Sequence, residues 1–206
     1  LMTKNSGIHR VIIVGGGAAG LELATRLGNS LDKKKLADIT LIDKNATHLW
    51  KPLLHEVAAG SMDIHAHQLD YLAQARWRHF NFRLGALQTL DRAKKQITIA
   101  GLIDDEGEEI LPPRTLNYDT LVICVGSTVN DFGIPGVVQH ALALDNAEQA
   151  EKFHRKLVAA CVRANAQKSP DAEVNVVIIG AGATGVELSA ELRNTTDVLA
   201  SYGLDN

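Results

Sequence analysis

Two glycine sets with one spacing, Gly15-x-Gly17-x-x-Gly20 and Gly180-x-Gly182-x-x-Gly185, are the residues of this chain best suited to bind a ligand as a group. In such a set the first glycine permits a tight turn and the second lacks the Cβ that would keep an anion off the backbone. The third lets the following helix pack against the preceding strand. The chemistry is capture of a pyrophosphate by unpaired N–H groups at the positive end of a helix. Asp43 lies twenty-three residues beyond Gly20, at the close of the next apolar run, where a carboxylate accepts hydrogen bonds from both ribose hydroxyls. For the second set that spacing falls near position 208, beyond residue 206, and Asp197 and Asp205 are alternatives by composition only.

Glu22 and Glu187 each stand two residues past a third glycine. Glu22 reads as favourable charge near a helix N-terminus, worth a few tenths of a kcal/mol. For Glu187 that reading stands beside a second one, participation where a second nucleotide presents its nicotinamide. His65-x-His67 has the spacing of a strand face, but nothing nearby completes a metal-ligand set, so both read as solvated histidines. Ser61, Ser127 and Ser189 lack a G-x-S-x-G elbow and offer no acyl-transfer nucleophile. The two cysteines, Cys124 and Cys161, sit among apolar neighbours and read as buried small hydrophobes.

The elements that must position these groups follow from periodicity. Val11–Val14 is a β-branched run entering the first glycine set, LELATRLGNSL has helical spacing, and Ile39–Ile42 is a second strand, giving a βαβ unit with a right-handed crossover. THLWKPLLHEVAAGS is too apolar for a solvated loop and must pack on something. A helix is expected over 66–77, and over 80–125 an antiparallel meander laid on the parallel sheet, ending in a buried strand at 120–125. A helix over about 145–166, with Phe153, Leu157, Ala160 and Cys161 near one face, precedes a linker at 167–173. Residues 11–27 and 176–192 then repeat, with nine identities in seventeen positions that include all three glycines. Two dinucleotide-type units begin in this chain.

With 206 residues, 46% of them hydrophobic, and a net charge of −3, the composition is that of a soluble globular protein with no electrostatic footprint for nucleic acid. No run reaches the roughly 18 apolar residues of a membrane span, and the start lacks the apolar stretch of a signal peptide.

Two dinucleotide units, the second inserted after a meander, resemble the two-nucleotide-domain flavoprotein oxidoreductases. Within them the chain is similar to the type II NADH dehydrogenases, the single-subunit NADH:quinone oxidoreductases of bacterial membranes. The segments carrying this are THLWKPLLHEVAAGS at 47–61, YDTLVICVGSTVNDFGIPG at 118–136, LDN at 144–146 and GAGATGVELSAEL at 180–192. The CxxxxC pair of the superfamily's disulfide reductases is missing where this chain reads HLWKPLLHEV, which excludes that branch.

The resemblance implies an α/β fold: a Rossmann-like FAD-binding parallel sheet with an antiparallel β-meander, then the start of an inserted Rossmann-like NAD-binding unit. The expected division is 1–145 for the FAD domain, 146–173 for a connecting helix and linker, and 174–206 for the opening of the NADH domain. By position, Gly15, Gly16, Gly17, Ala18, Ala19, Gly20, Asp43 and Lys44 hold the ADP half of FAD. Lys51 lies along the pyrophosphate and flavin side, Leu87 touches the adenine region, and Gly126 closes the flavin cleft. Gly180, Gly182, Ala183, Thr184 and Gly185 receive the NADH pyrophosphate, and Glu187 matches the family's glutamate near the flavin. The implied activity is hydride transfer from NADH to flavin and two-electron transfer to a quinone without proton pumping. A ferredoxin or oxygen as acceptor, or a nucleotide-binding module without turnover, are the alternatives. The full-length protein is expected on the cytoplasmic face of the inner membrane, held by a C-terminal region, while these residues are expected to be soluble, weak or deficient in FAD binding, inactive alone, and prone to self-association as a homodimer.

Overall fold

The computed structural model describes residues 7–167 and 173–201. In chain order the first elements are β1 (His9–Val14), α1 (Ala18–Ser30), β2 (Ala37–Asp43), β3 (Thr47–His48), α2 (Leu54–Ala59), α3 (Ile64–His67), β4 (Leu69–Asp70) and α4 (Tyr71–Arg78). Then come β5 (Asn81–Leu84), β6 (Leu87–Asp91), β7 (Gln96–Ile99), β8 (Leu102–Ile103), β9 (Glu109–Leu111), β10 (Arg114–Asn117) and β11 (Thr120–Ile123). The helices α5 (Val137–His140), α6 (Ala147–Gln167) and α7 (Ala183–Ser201) complete the order. By their contacts these residues form two compact units, one of 7–48 with 68–127 and the other of 49–67 with 128–167 and 173–201.

The first unit is built on a parallel sheet in the order β11-β1-β2-β5. Central parallel strands are covered on both faces, which is why they are unbroken apolar runs. Alternation then splits β1 between two cores. Val11 and Ile13 join Ile39, Leu41, Phe82 and the helical Ala24, Tyr71 and Ala75, while Ile12 and Val14 join Ile42, Ile97, Ile99 and Tyr118 on the other face. Ile13, Ile39, Leu41 and Ile42 are fully buried, each worth about 1.5–3 kcal/mol. The antiparallel sheet β10-β7-β6 supplies that second face, so the expected meander does lie on the parallel sheet.

Several boundaries move. The segment FRLGALQTL is two strands in two sheets: β5 pairs parallel with β2, and β6 turns away antiparallel to β7. β11 pairs only with β1 and stands at the edge, so Ile123 is half exposed where a buried strand was expected. Helix formation waits until Tyr71 because Leu69–Asp70 pairs with Thr47–His48, and Asp70 then caps α4 through its side chain. His65 and His67 lie on the single turn of α3, where residues two apart do not share a face. Both cysteines are free and only partly buried. The expected linker falls mainly on residues 168–172, outside the described ones.

Asp119, just before β11, receives the Arg10 backbone N–H at 2.8 Å and its guanidinium Nε at 3.1 Å. Those bonds hold the Asp119 carboxyl down at about 2, against an ordinary 3.8. A depressed carboxylate contributes stability above its unfolded pKa and loses it as pH falls through the folded value. Stability is therefore expected to decline between about pH 4 and pH 2; in acid-denaturation curves Asp119→Asn flattens that segment.

In the second unit α2, α6 and α7 enclose a third core. Leu54, Val57, Ala58 and Ile64 pack with Ala150 and Leu188, and Thr195 Oγ1 donates to the Ala59 carbonyl at 3.0 Å. This answers what the apolar stretch at 47–61 packs on. In α6 the buried positions are Ala150 and Ala164, with Phe153 partly buried beside them. Residues 173–181 carry no regular secondary structure, and Val177 and Ile179 are each 84% exposed. The apolar run expected as a strand has no partner among the described residues, and a strand exists only through its ladder.

Candidate nucleotide-binding site

The carboxyl edge of the parallel sheet gathers the first glycine set. Gly15 leaves β1 at φ +101°, donating its N–H to the Ile42 carbonyl at 2.8 Å. A Cβ on Gly15 would overlap the Cys124 carbonyl, and one on Gly20 would overlap the Gly15 carbonyl. These two glycines are therefore required by the fold itself, for the turn and for close helix packing. They also bring the Cys124-Val125-Gly126 segment alongside the turn.

Gly16 is held from both sides. Its N–H donates to Asp43 Oδ2 at 2.6 Å, and its carbonyl accepts from the Tyr71 hydroxyl at 2.6 Å. Tyr71 is buried, stacks on Phe82 with ring centroids 5.0 Å apart, and has His48 Nδ1 3.5 Å from its hydroxyl. Burial first, and the Asp43 charge second, push the Tyr71 phenol up, so it remains a donor. Burial favours the neutral imidazole and pulls the buried His48 below its ordinary 6.5 despite its hydrogen bond to Gly16. Sequence spacing pointed to neither residue, because both act through a backbone carbonyl rather than through a motif. Tyr71→Phe removes the hydroxyl donor and leaves His48 alone on Gly16, and is expected to lower unfolding free energy by about 0.5–1.5 kcal/mol in urea melts.

Gly17 differs from its neighbours. Its φ is −61°, open to any residue, and a Cβ there would meet nothing within 4 Å. Neither strain nor packing explains its identity. With Ala18 and Ala19 it forms an exposed rim at the start of α1, and no side chain caps that turn. A bare helix N-terminus with a missing Cβ is the cradle of a pyrophosphate, and the residues present fit one.

The second glycine set repeats this geometry. Gly180 has φ +111°, a Cβ on Gly185 would crowd the Gly180 carbonyl at 2.5 Å, and Gly182 is open. Val186 N donates to Gly182 O at 3.1 Å, as Leu21 N does to Gly17 O at 2.9 Å. Ala183 and Thr184 open α7, on which Asp197 also lies. The two glutamates diverge. Glu22 accepts from Arg26 Nε at 2.6 Å one turn on, whereas position 191, the counterpart of Arg26, is Glu191. Glu187 instead lies 3.4 Å from Nδ1 of His55 on α2.

Asp43 also accepts from Asn45 N at 2.8 Å, and its carbonyl takes the Gly85 N–H at 2.8 Å. Leu87, two residues on, begins β6 opposite Ile99 and packs on the second core. Lys44 is exposed beside Asp43. Gly126, at φ +73°, has open space where a Cβ would stand. In the other unit Lys51 Nζ pairs with Asp145 Oδ1 at 3.0 Å. A cavity of about 1000 Å³, lined by Arg10, Asp32, Lys35 and Asp119 among others, opens at the opposite, amino edge of the sheet. Ligands of open parallel sheets bind at the carboxyl edge, where the glycine turn is.

A parallel sheet carrying such a turn, with the turn repeated in the same chain, defines an α/β protein of the dinucleotide-binding class. Residues 9–200 match the family model described as pyridine nucleotide-disulphide oxidoreductase, and the chain belongs to that family. It is 42% identical over 210 residues to the type II NADH:quinone oxidoreductase of Haemophilus influenzae, covering 95% of this chain and 47% of that one. A relative of the same name from Staphylococcus aureus is 31% identical over 199 residues, covering 95% and 46%. The chain thus spans about half the length of these relatives. Its fold is similar to that of NDH2 from Plasmodium falciparum in complex with NADH, with a TM-score of 0.76 at 22% identity, over 97% of this chain and 40% of that one. Among the described residues no helix is long and apolar enough to cross a membrane.

Proposed function

We propose that the chain is the amino-terminal part of an FAD-dependent NADH:quinone oxidoreductase, holding most of the ADP half of the flavin site and the opening of the NADH site. The duplicated open glycine turn carries this reading, because one chain then offers two pyrophosphate cradles, one for each nucleotide. The relatives' names supply the quinone as acceptor.

On this reading the roles are as follows. N–H groups at the start of α1, from Gly17 to Gly20, hold the FAD pyrophosphate, with Ala18 and Ala19 on the rim and Gly15 and Gly16 shaping the turn. Asp43 retains lone pairs for ribose hydroxyls while it anchors Gly16. Lys44 and Lys51 lend positive charge along the phosphates, Leu87 supplies apolar contact for adenine, and Gly126 lets the ligand approach its backbone. Gly180, Gly182, Ala183, Thr184 and Gly185 take the NADH pyrophosphate, and Glu187 stands where nicotinamide meets flavin. The chemistry supplied there when FAD is bound is hydride acceptance from NADH and delivery of two electrons to a quinone. In the full-length protein a region beyond residue 206 places the enzyme, as a homodimer, on the cytoplasmic face of the inner membrane.

Anaerobic addition of NADH to the FAD-loaded full-length protein is expected to bleach the flavin absorbance, and a soluble quinone to restore it. Restoration by ferredoxin or oxygen alone would assign another acceptor. No bleaching would make the protein a binding module.

A further inference from the structure

His55 occupies an unusual position for an imidazole. Its side chain is 12% exposed, with Nδ1 3.4 Å from Glu187 Oε2 on α7 and Nε2 3.9 Å from Glu56 Oε1 on its own helix. Nδ1 is buried and has no hydrogen-bond partner among the described residues. A histidine kept only for packing satisfies a buried nitrogen with backbone or water, whereas both nitrogens here face carboxylates. The repeat sharpens the contrast, since Glu22 is neutralised by Arg26 on its own helix and Glu187 has Glu191 in that place. The group brought to Glu187 comes from another helix, and it can carry a proton on either of two atoms.

We infer that Glu56, His55 and Glu187 form a proton relay that feeds Glu187 from solvent, with His55 as its positioning and transfer residue. The inference rests on the functional reading above. Oxidation of NADH by a quinone delivers two electrons and one proton as hydride, so forming the quinol requires one further proton from water. Glu56, protonated from water, passes its proton to His55 Nε2, and the imidazolium then gives its Nδ1 proton to the half-exposed Glu187 carboxylate, which rotates to close the 3.4 Å gap, breaking N–H and forming O–H. Glu187 hands that proton to the reduced quinone oxygen, and rotation of the neutral ring returns its N–H to the Glu187 side. No electrons move along this path, and one proton enters per NADH oxidised.

Two measurements test it. In the 206-residue chain with ¹⁵N-labelled histidine, the neutral His55 ring is expected as the Nδ1–H tautomer. Glu187→Ala shifts it toward Nε2–H, and an unchanged tautomer overturns the pairing. In the FAD-loaded full-length protein, His55→Gln and His55→Ala are expected to lower kcat about 100-fold, the scale of general acid–base catalysis, with KM for NADH within about twofold. Free imidazole restores His55→Ala. Full activity of His55→Gln, or a folded His55→Ala enzyme that imidazole leaves unchanged, overturns the relay. A wild-type protein that oxidises NADH with no quinone overturns the functional reading instead, and the tautomer result still decides the pairing.

Discussion

Gly17→Val in the full-length protein is expected to fold like the wild type and to lose FAD. The fold barely registers the change, because Gly17 has an ordinary φ and open space around it. The cost is confined to a poorer N-cap, about 1 kcal/mol. The branched side chain instead fills the volume a pyrophosphate needs and withdraws it from the N–H groups at the start of α1. Charge-assisted hydrogen bonds contribute about 1.5–3 kcal/mol each, and each 1.4 kcal/mol is about tenfold in affinity, so losing two of them weakens binding at least about 100-fold. Flavin fluorescence titration measures the affinity and a thermal melt checks the fold. Affinity retained within about threefold would place the pyrophosphate elsewhere. Gly15→Val should give the opposite pattern, with the fold itself lost.

Gly28→Leu is expected to abolish cooperative unfolding. Gly28 lies in the interior of α1, where glycine ordinarily costs about 1 kcal/mol relative to alanine. Here a Cβ would overlap the backbone carbonyls of Arg78 and His79 at the end of α4. Backbone cannot swing aside as a side-chain tip can, so the helices must separate. Gly20, Ala24 and Gly28 are the three buried residues of α1, a stripe of minimal side chains that lets the helix lie close to the sheet and to α4. Gly28→Ala should therefore destabilise by about 1–3 kcal/mol, the scale of overpacking, where propensity alone predicts a gain. Urea denaturation of the two variants gives both values; a stabilised Gly28→Ala would show that the close approach is not required.

The parallel unit was legible because its determinants are local: a β-branched run, a glycine spacing and a helical period each act within about twenty residues, and the repeat at 176–192 was visible by alignment of the chain with itself. Its elements were less legible where partners decide. Whether 87–91 continues 81–84 or turns into a second sheet depends on which strand lies alongside, as does the exposure of Ile123. The run at 176–179 has every residue preference of a strand and forms none among the described residues, because preference without a neighbouring ladder does not make one.

The site divides in the same way. The sequence by itself determined that two glycine turns of one spacing open in this chain and that Asp43 closes the strand beside the first, since a glycine spacing is a requirement on the backbone. It assigned Gly15, Gly17 and Gly20 different tasks and left the reading of Glu187 open between two. The tertiary structure supplied the contacts: backbone stands where a Cβ on Gly15 or Gly20 would be, and nothing lies within 4 Å of one on Gly17. It alone brought Tyr71 and His48 to the Gly16 carbonyl and His55 to Glu187. Those contacts join residues far apart in the chain, and the partner of a single carbonyl or carboxylate is set by packing, which leaves no period or spacing to read.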